Sequence, residues 1–586
     1  MREKEPLDIF YRLIVVLCAI VLGFAIFTVF WINRNKESHA QILPSFSEAL
    51  DEGRYKEALE IYRGVHDANL NSDTVDPTLT DMENLVNEKS VTIENRIRYE
   101  RYSLRSDDIK FLNGMGELTY SHLSNWLTLL CEEFLLGNIE KPDVTFVFKE
   151  VSQVDNIEAV ATPLLREIDA IEKSRGVAQS AEKKYEEGDY IAAVKEYNTL
   201  LDNNEGFVYS FANRRVEEIK EIMYKPMLEK CEHMLDTYQY YSAETILSDL
   251  AVIFPDDNRI GNDLIMATGK TSPVTEYKGS VEVLCVRQLI ADTEIAFGDS
   301  YVSSNDDIYL TTSEFRRILE ELYKKNYVLV DSEALIDSSN EEYLVETPLI
   351  VPEGKQPLII VIENLDYSLR SCGAGTCNKL VLNEQGQVCG QYMNASGQEV
   401  VQRSAEAVGI LDMFVEEHPD FSYNGVRGVI SLCGYESVFG YVVSEDEVDD
   451  RNLALNALGR PAAEIDSSEI EMNKNSVSEI AAVLKDTGWK FATSTYGNIN
   501  AEQATLEEIQ SDFEKWEDQV GSLLGDTHMI VYPNGNFING TDPRAEYLKS
   551  MGYRVFYGIG PTPYFTYGKN YLYNDRTLLK GQNMRN

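Results

Sequence analysis

The chain has 586 residues, 44% of them apolar and 10% aromatic, and a formal net charge of −44. That much apolar material builds packed cores and argues against extended disorder, and the length calls for two or three domains. So acidic a chain repels nucleic acid and anionic lipid headgroups, which excludes DNA, RNA and basic-patch membrane binding as functions. Cations or neutral glycans remain compatible partners; the plainer reading of the charge is a solubilising surface.

Residues 1–12 are expected to be a cytoplasmic tail. Leu13 to Ile32 then runs without a charged residue. At 1.5 Å per residue such a helix spans about 30 Å, the thickness of a bilayer's hydrocarbon core. Trp31 closes the run, Asn33-Arg34-Asn35-Lys36 follows, and no small-residue cleavage site is present. The segment therefore predicts an uncleaved single-pass anchor in a cell membrane rather than a signal peptide. Arg2, Lys4 and Arg12 before it and Arg34 and Lys36 after it differ too little to orient it by charge.

From 40 to 268 the pattern predicts an all-α region. Tyr55, Ala58, Leu59 and Tyr62 recur at helical spacing, as do Tyr190, Ala193, Val194, Tyr197 and Leu201. Both sets carry one small motif, Gly53-x-Tyr55-x-x-Ala58 and Gly188-x-Tyr190-x-x-Ala193. Glycine ends one helix in a tight turn, and alanine lets the next pack closely. Tyr240, Ala243, Leu247 and Leu250 repeat the pattern without the glycine. The turns resemble those of tetratricopeptide repeats, though no 34-residue period exists. Isolated helical hairpins follow as the expectation. They would act as a spacer that lifts the next domain off the membrane, or as a groove for partner proteins. Thr268 to Pro273 reads as a linker.

From 277 to 586 strands and helices alternate. Strands are predicted at Val281–Val286, Tyr327–Val330, Leu358–Ile362, Gly428–Leu432, Lys490–Thr493, His528–Tyr532 and Arg554–Tyr557. Helices are predicted at Thr312–Tyr327, capped by Thr312 or Ser313, and at Ser404–Glu417, Val477–Thr487, Leu506–Leu524 and Asp542–Met551. The alternation predicts a parallel sheet with helices outside, and the length suits a barrel. Of the eight cysteines, Cys18 lies in the apolar N-terminal run. Cys131, Cys231, Cys285 and Cys433 read as small buried apolar groups. Cys372, Cys377 and Cys389 lie close together, but without a CxxC pair or a following histidine they argue against a zinc site. One disulfide among those three stays open as an alternative.

In a barrel of this kind chemistry sits where strands end. Three such ends stand out: Glu363-Asn364-Leu365-Asp366-Tyr367, Ser494-Thr495-Tyr496-Gly497-Asn498 and Tyr532-Pro533-Asn534-Gly535. Their order and spacing resemble the polysaccharide deacetylase (NodB-like) family, which has Phe-Asp-Asp, His-x-x-x-His and Tyr-Pro-x-Gly at these places. Pro352 to Ile359, Leu484 to Ala492 and Leu548 to Tyr553 resemble the family's flanking text, so the likeness covers roughly 277–586.

The resemblance implies a deformed (β/α) barrel outside the cytoplasm, in the envelope of a bacterium. In the family the first aspartate is a general base, and the second binds a divalent metal such as zinc with two histidines. By position the base becomes Glu363, and the three ligands become Asn364, Ser494 and Asn498. Transition metals need imidazole, thiolate or carboxylate donors, so no metal cofactor is expected here. Asp366 is the one nearby carboxylate that could stand in. His418, at a helix end, and His528, at the wrong end of its strand, are not expected to rebuild the site. Asp575-Arg576 reads as an ion pair orienting the site, or as a plain surface pair. Asn364, Asp366, Tyr367, Ser494, Tyr496, Asn498, Tyr532 and Asn534 are the candidate binding residues. Tyr367, Tyr496, Tyr532, Trp489 and Phe537 would line a glycan groove, or else are core residues. Three functions follow as alternatives: a non-catalytic envelope protein binding glycan, a hydrolase removing acetyl groups from wall or capsular polysaccharide, or a surface scaffold for envelope proteins.

Overall fold

A computed structural model describes residues 41–70, 74–202, 205–298, 308–337, 345–369, 371 and 373–585. The predicted anchor Leu13–Ile32 lies outside them. Among the described residues no helix is long and apolar enough to cross a membrane. The chain divides into two compact units, Met1–Lys225 and Pro226–Asn586.

The first unit is helical. It includes α1 (Tyr55–Asn69), α2 (Asp155–Glu186), α3 (Tyr190–Asn198) and the start of α4 (Gly206–Asp236). Gly53 and Gly188 stand before α1 and α3 at φ 72° and 80°, the left-handed region that a side chain disfavours. Ala58 and Ala193 are fully buried one turn later. Asp189 caps α3 by accepting from the Ala192 N–H at 3.1 Å, and the Tyr197 hydroxyl donates back to Glu182 of α2 at 2.5 Å. Gly188→Ala meets no neighbouring atom, so its cost is the backbone alone. It is expected to destabilise this unit by about 1–2 kcal/mol in urea unfolding, and no change would show that the turn relaxes freely.

The second unit holds α5 (Tyr240–Ile253) and the α/β region. Tyr238 takes the left-handed place before α5, at φ 65°. The start of α5 is tied to the barrel. Its Ser242 N–H donates to Asn424 Oδ1 at 3.0 Å, Asn424 Nδ2 donates to the Ser242 hydroxyl at 2.7 Å, and Tyr241 packs on Tyr423.

Seven strands form the barrel: β1 (Glu282–Arg287), β2 (Gln356–Glu363), β3 (Val429–Leu432), β4 (Lys490–Thr493), β5 (Met529–Val531), β6 (Val555–Ile559) and β7 (Leu572–Leu578). Each pairs in parallel with the next, and β7 returns to β1 through Thr577 opposite Leu284, so the ring closes. All seven strands feed one interior cluster, with Val283, Ile359, Val429, Ala492, Met529, Val555 and Leu572 among its members. Alternate residues such as Ile360, Ile362, Ile430 and Phe491 face outward onto helices α6 (Thr312–Lys324), α7 (Ala407–Glu417) and α9 (Ser467–Asp486); α8 (Glu445–Ala457) precedes α9 in the chain. Burial on both faces is why strands such as β2 and β5 read as unbroken apolar runs, whereas β7 carries Asn574, Asp575 and Arg576 at its centre.

Several boundaries differ from the expectation. Thr311, not Thr312 or Ser313, caps α6, in a capping box with Glu314. α9 begins at Ser467, capped by Asp466, because its first turns are solvated and show no apolar stripe. The helix expected over Leu506–Leu524 is regular only as far as Trp516 (α10, Leu506–Trp516), and Glu517–Gly521 widens into a π-turn. A three-stranded antiparallel sheet, Lys379–Leu382, Val388–Met393 and Glu399–Gln402, stands between β2 and α7 without having been anticipated. Cys377 and Cys389 are both buried and are not disulfide-bonded to each other; Cys372 lies outside the described residues.

Candidate functional site

The C-terminal ends of β1 and β2 place Arg287 directly opposite Glu363. Arg576 reaches the same carboxylate from β7, donating from Nε to Oε1 at 2.6 Å, with its Nη2 also paired to that oxygen. The remaining guanidinium hydrogens go to the carbonyls of Tyr557 (2.9 Å), Gly558 (2.7 Å) and Tyr532 (2.8 Å). One side chain thus ties β2, β6, β7 and the end of β5 together. Arg576 is fully buried. Burial works against its charge, yet the Glu363 carboxylate more than offsets this and raises its pKa. Arg287 lies 3.7 Å from the other carboxylate oxygen and donates weakly to Asn534 Oδ1 at 3.4 Å. Arg576 is therefore neither Asp575's partner nor on the surface. Asp575 instead accepts from the Tyr573 hydroxyl at 2.9 Å.

The loops after β2, β3, β4 and β5 share a second feature. Asn364, Glu436, Thr495 and Asn534 all sit in the left-handed region, at φ 65°, 64°, 65° and 53°. For the β-branched Thr495 that conformation is costly, and it is held by local bonds: its N–H donates to Thr493 Oγ1 at 3.0 Å and its hydroxyl accepts from the Ile499 N–H at 2.9 Å.

Asp366 sits among Glu436, Cys433 and Ser437. Burial pushes its carboxyl up to about 6, with Glu436 adding to the shift. The Ser437 hydroxyl donates to the Asp366 carbonyl. Tyr367 is fully buried, and its hydroxyl donates to Glu406 at 3.1 Å. Glu406 caps α7 by accepting from Ala407 N–H at 2.8 Å, and also accepts from Leu289 N–H at 3.1 Å. Burial pushes this carboxyl up to about 7.

Ser494 is half-buried, its N–H donating to Leu432 O at 2.9 Å, and Asn498 is exposed. Tyr496 is buried. Its hydroxyl donates to Glu447 at 2.6 Å, with Lys515 lying 4.2 Å from the ring centroid. Tyr532 is fully buried and Asn534 is exposed.

The expected glycan groove is corrected by these burials. Tyr367, Tyr496, Tyr532 and Trp489 are at most 6% exposed and pack into the cores, while Phe537, at 44%, alone of the five faces solvent. Trp489 donates instead to Asp412, which Arg427 also holds. An aromatic residue next to a strand end reads alike in sequence whether it turns inward or outward, so spacing alone could not separate these cases.

A metal does not fit this mouth. Asn364, Ser494 and Asn498 bring amides and a hydroxyl, and two guanidinium groups stand beside Glu363, where a divalent cation would be repelled. Among the described residues no group of three His, Cys, Asp or Glu side chains is placed to hold an ion. His418 stacks on Tyr323 and Phe414, away from the strand ends, and His528 precedes β5. Arg287, Glu436 and Glu447 were missed in the sequence. The signal for Arg287 was its place in the inward alternation of Val283 and Cys285, which carries a charge to the rim of the barrel.

No protein-family model matches this sequence, and no curated protein matches it. Among solved structures, the Streptococcus pyogenes deacetylase PplD in complex with acetate aligns with 52% of this chain and 94% of its own, at 11% identity and a TM-score of 0.28. IcaB from Ammonifex degensii aligns over the same shares at 11% identity and a TM-score of 0.25. The barrel is defined by this chain's own strand pairing.

Proposed function

We propose that the barrel is a polysaccharide-deacetylase-like domain that has given up metal-dependent hydrolysis and serves as a non-catalytic glycan-binding or scaffold element of a cell envelope, anchored through Leu13–Ile32. The observation that carries this reading is the ion-paired cluster of Arg287, Glu363 and Arg576 at the strand ends, where the family resemblance would put a base and a metal. A carboxylate engaged by two guanidinium groups is a poor partner for a metal-activated water, and no ligand-type donor stands at the three metal positions. Calorimetric titration of the whole protein with zinc and cobalt is expected to show no binding at micromolar affinity. One-to-one binding at that strength would instead favour the hydrolase.

The hydrolase reading has one observation on its side. Left-handed residues concentrated on four mouth loops are the kind of strain that functional sites keep. Release of acetate from an acetylated oligosaccharide by the purified protein would establish it.

A further inference from the structure

One strand edge of the second unit is left open. The strand Tyr564–Tyr567 forms a hairpin with β7 and, among the described residues, pairs with nothing on its other side. The backbone groups of an antiparallel strand turn to its two sides alternately, residue by residue. At the hairpin turn the Gly568 N–H donates to Tyr571 O at 2.8 Å, so Thr566 and Tyr564 turn their backbone groups toward β7. Phe565 and Tyr567 therefore turn theirs away. Leu572, opposite Tyr567, agrees: its own N–H donates to Arg554 O at 2.8 Å, on the side of β6. The N–H and C=O groups of Phe565 and Tyr567 thus have no backbone partner among the described residues.

These groups face a cleft of about 860 Å³. One wall is the strand, the opposite wall is the segment Glu276–Val281 that leads into β1, and no residue of β7 lines it. The cleft therefore lies on the strand's open side. Its walls are held in place before anything binds. Val274–Glu276 pairs with Ile350–Pro352, the Tyr277 N–H donates to Leu349 O at 2.8 Å, and the Tyr567 hydroxyl donates to Leu335 O at 3.3 Å. Preorganised walls reduce the ordering cost of binding. The Tyr564 ring leans on Tyr573 on one face of the strand, while Phe565 and Tyr567 pack against the interior cluster on the other. The side chains fix the strand, and its edge is left to the backbone.

Edges of this kind are commonly guarded by a charge, a proline or a bulge in the strand itself. Tyr564-Phe565-Thr566-Tyr567 carries no charge and no proline, and its register with β7 runs without a bulge. The charges stand at the rim instead. Glu276 and Glu346 are exposed carboxylates, with Lys278 3.9 Å from Glu276. Burial first, and then the Glu346 carboxylate, pushes the Tyr567 hydroxyl up, which puts that charge beside the open edge. A second copy of this chain, at −44, would bring the same carboxylates against these.

We propose that this edge takes up an extended segment of a partner protein as an added strand, and that basic residues flank that segment. Its backbone bonds to the N–H and C=O groups of Phe565 and Tyr567, and its lysines or arginines reach Glu276 and Glu346. The four residues of the edge match an added piece of similar length, about 13 Å at roughly 3.3 Å per residue. The inference goes beyond the reading of the barrel mouth and does not depend on it.

The test uses the full chain and an end-blocked heptapeptide, Lys-Thr-Val-Thr-Val-Thr-Lys, with its glutamate-ended counterpart as control. Calorimetry is expected to show one-to-one, submillimolar binding of the lysine peptide and at least tenfold weaker binding of the control. Hydrogen exchange read at single amides reports the mode. The Phe565 and Tyr567 amides should slow at least tenfold on binding, whereas Thr566, already turned to β7, should change little. Glu346→Lys, at an exposed position, should weaken the lysine peptide at least fivefold and leave the melting temperature unchanged. The proposal is overturned if the lysine peptide fails to bind, if it binds without slowing those two amides, or if both peptides bind alike. A dimer in sedimentation equilibrium that the peptide dissociates would make the occupant a second copy and overturn the partner's chemistry. Zinc and cobalt titrations should read the same with and without the peptide, which keeps the two proposals apart.

Discussion

Arg576→Met is expected to destabilise the second unit by about 3–5 kcal/mol, because it leaves the Glu363 carboxylate buried without its partner. The carbonyls of Tyr532, Tyr557 and Gly558 lose their guanidinium bonds in the same substitution, although Tyr532 O keeps the Gly535 N–H and Tyr557 O keeps the Tyr532 N–H. Arg287, at 3.7 Å, is too distant to replace the lost hydrogen bonds without moving. Urea unfolding followed through Trp489 and Trp516 reads this unit, since both indoles are buried in its outer core. The double variant Arg576→Met, Glu363→Leu should recover a large part of the loss, because the burial of an unpaired charge is what costs most. A single-variant cost below about 1 kcal/mol would show that the pair is solvated and not a clasp, and would return Glu363 to candidacy as a working base.

The second large effect is a pH dependence centred on Glu406. Its carboxyl is pushed from 4.5 to about 7, first by burial, against the three donors Ala407 N–H, Leu289 N–H and the Tyr367 hydroxyl. The folded chain therefore holds this proton more tightly than the unfolded chain does. The stability linked to it is complete below the unfolded value and is lost as pH rises through about 7. Over that window the loss amounts to about 3 kcal/mol. Glu406→Gln keeps the acceptor for Leu289 and Ala407 and turns the other atom into a donor toward the Tyr367 oxygen, so the packing is retained while the titration disappears. The variant should match the parent near pH 4 and exceed it in stability by about 3 kcal/mol near pH 8. Parallel stability curves for the two proteins would sink the assignment. Asp366, pushed up to about 6, loses stability in the same direction. The comparison with Glu406→Gln isolates one carboxyl from the other.

Six of the seven barrel strands were legible from their apolar runs, and Leu358–Ile362 needs no partner to read as buried. β7, with Asn574, Asp575 and Arg576 at its centre, was not expected as a strand, and the expected strand at Tyr327 pairs with β2 outside the ring. The small antiparallel sheet was not legible either, since Lys379–Leu382 and Glu399–Gln402 are short and mixed in polarity. Its turns did carry a readable sign. Asn383 and Asn394 each precede a left-handed glycine by three residues, Gly386 and Gly397, and accept backbone N–H bonds from the residues that follow. Positions at the mouth were legible as strand ends; their chemistry was only partly so. That Asn364, Ser494 and Asn498 are not imidazole, thiolate or carboxylate donors can be read from the sequence alone. That Glu363 is engaged by Arg576 depends on ring closure, which sets side chains far apart in the chain against one another. Inward and outward aromatics were indistinguishable for the same reason, since Tyr367 and Tyr532 fill space that distant segments create.

Closure of the ring by β7 against β1 has a consequence for how the molecule is made. Of the seven strands, β7 is the last to be synthesised, and its partner β1 is the first. Until Thr577 reaches Leu284, β1 waits with one edge unpaired while the rest of the barrel is still emerging from the ribosome. A chain stalled or clipped before Leu572 would leave two open strand edges, a template for sticking to its neighbours rather than a slightly weaker barrel.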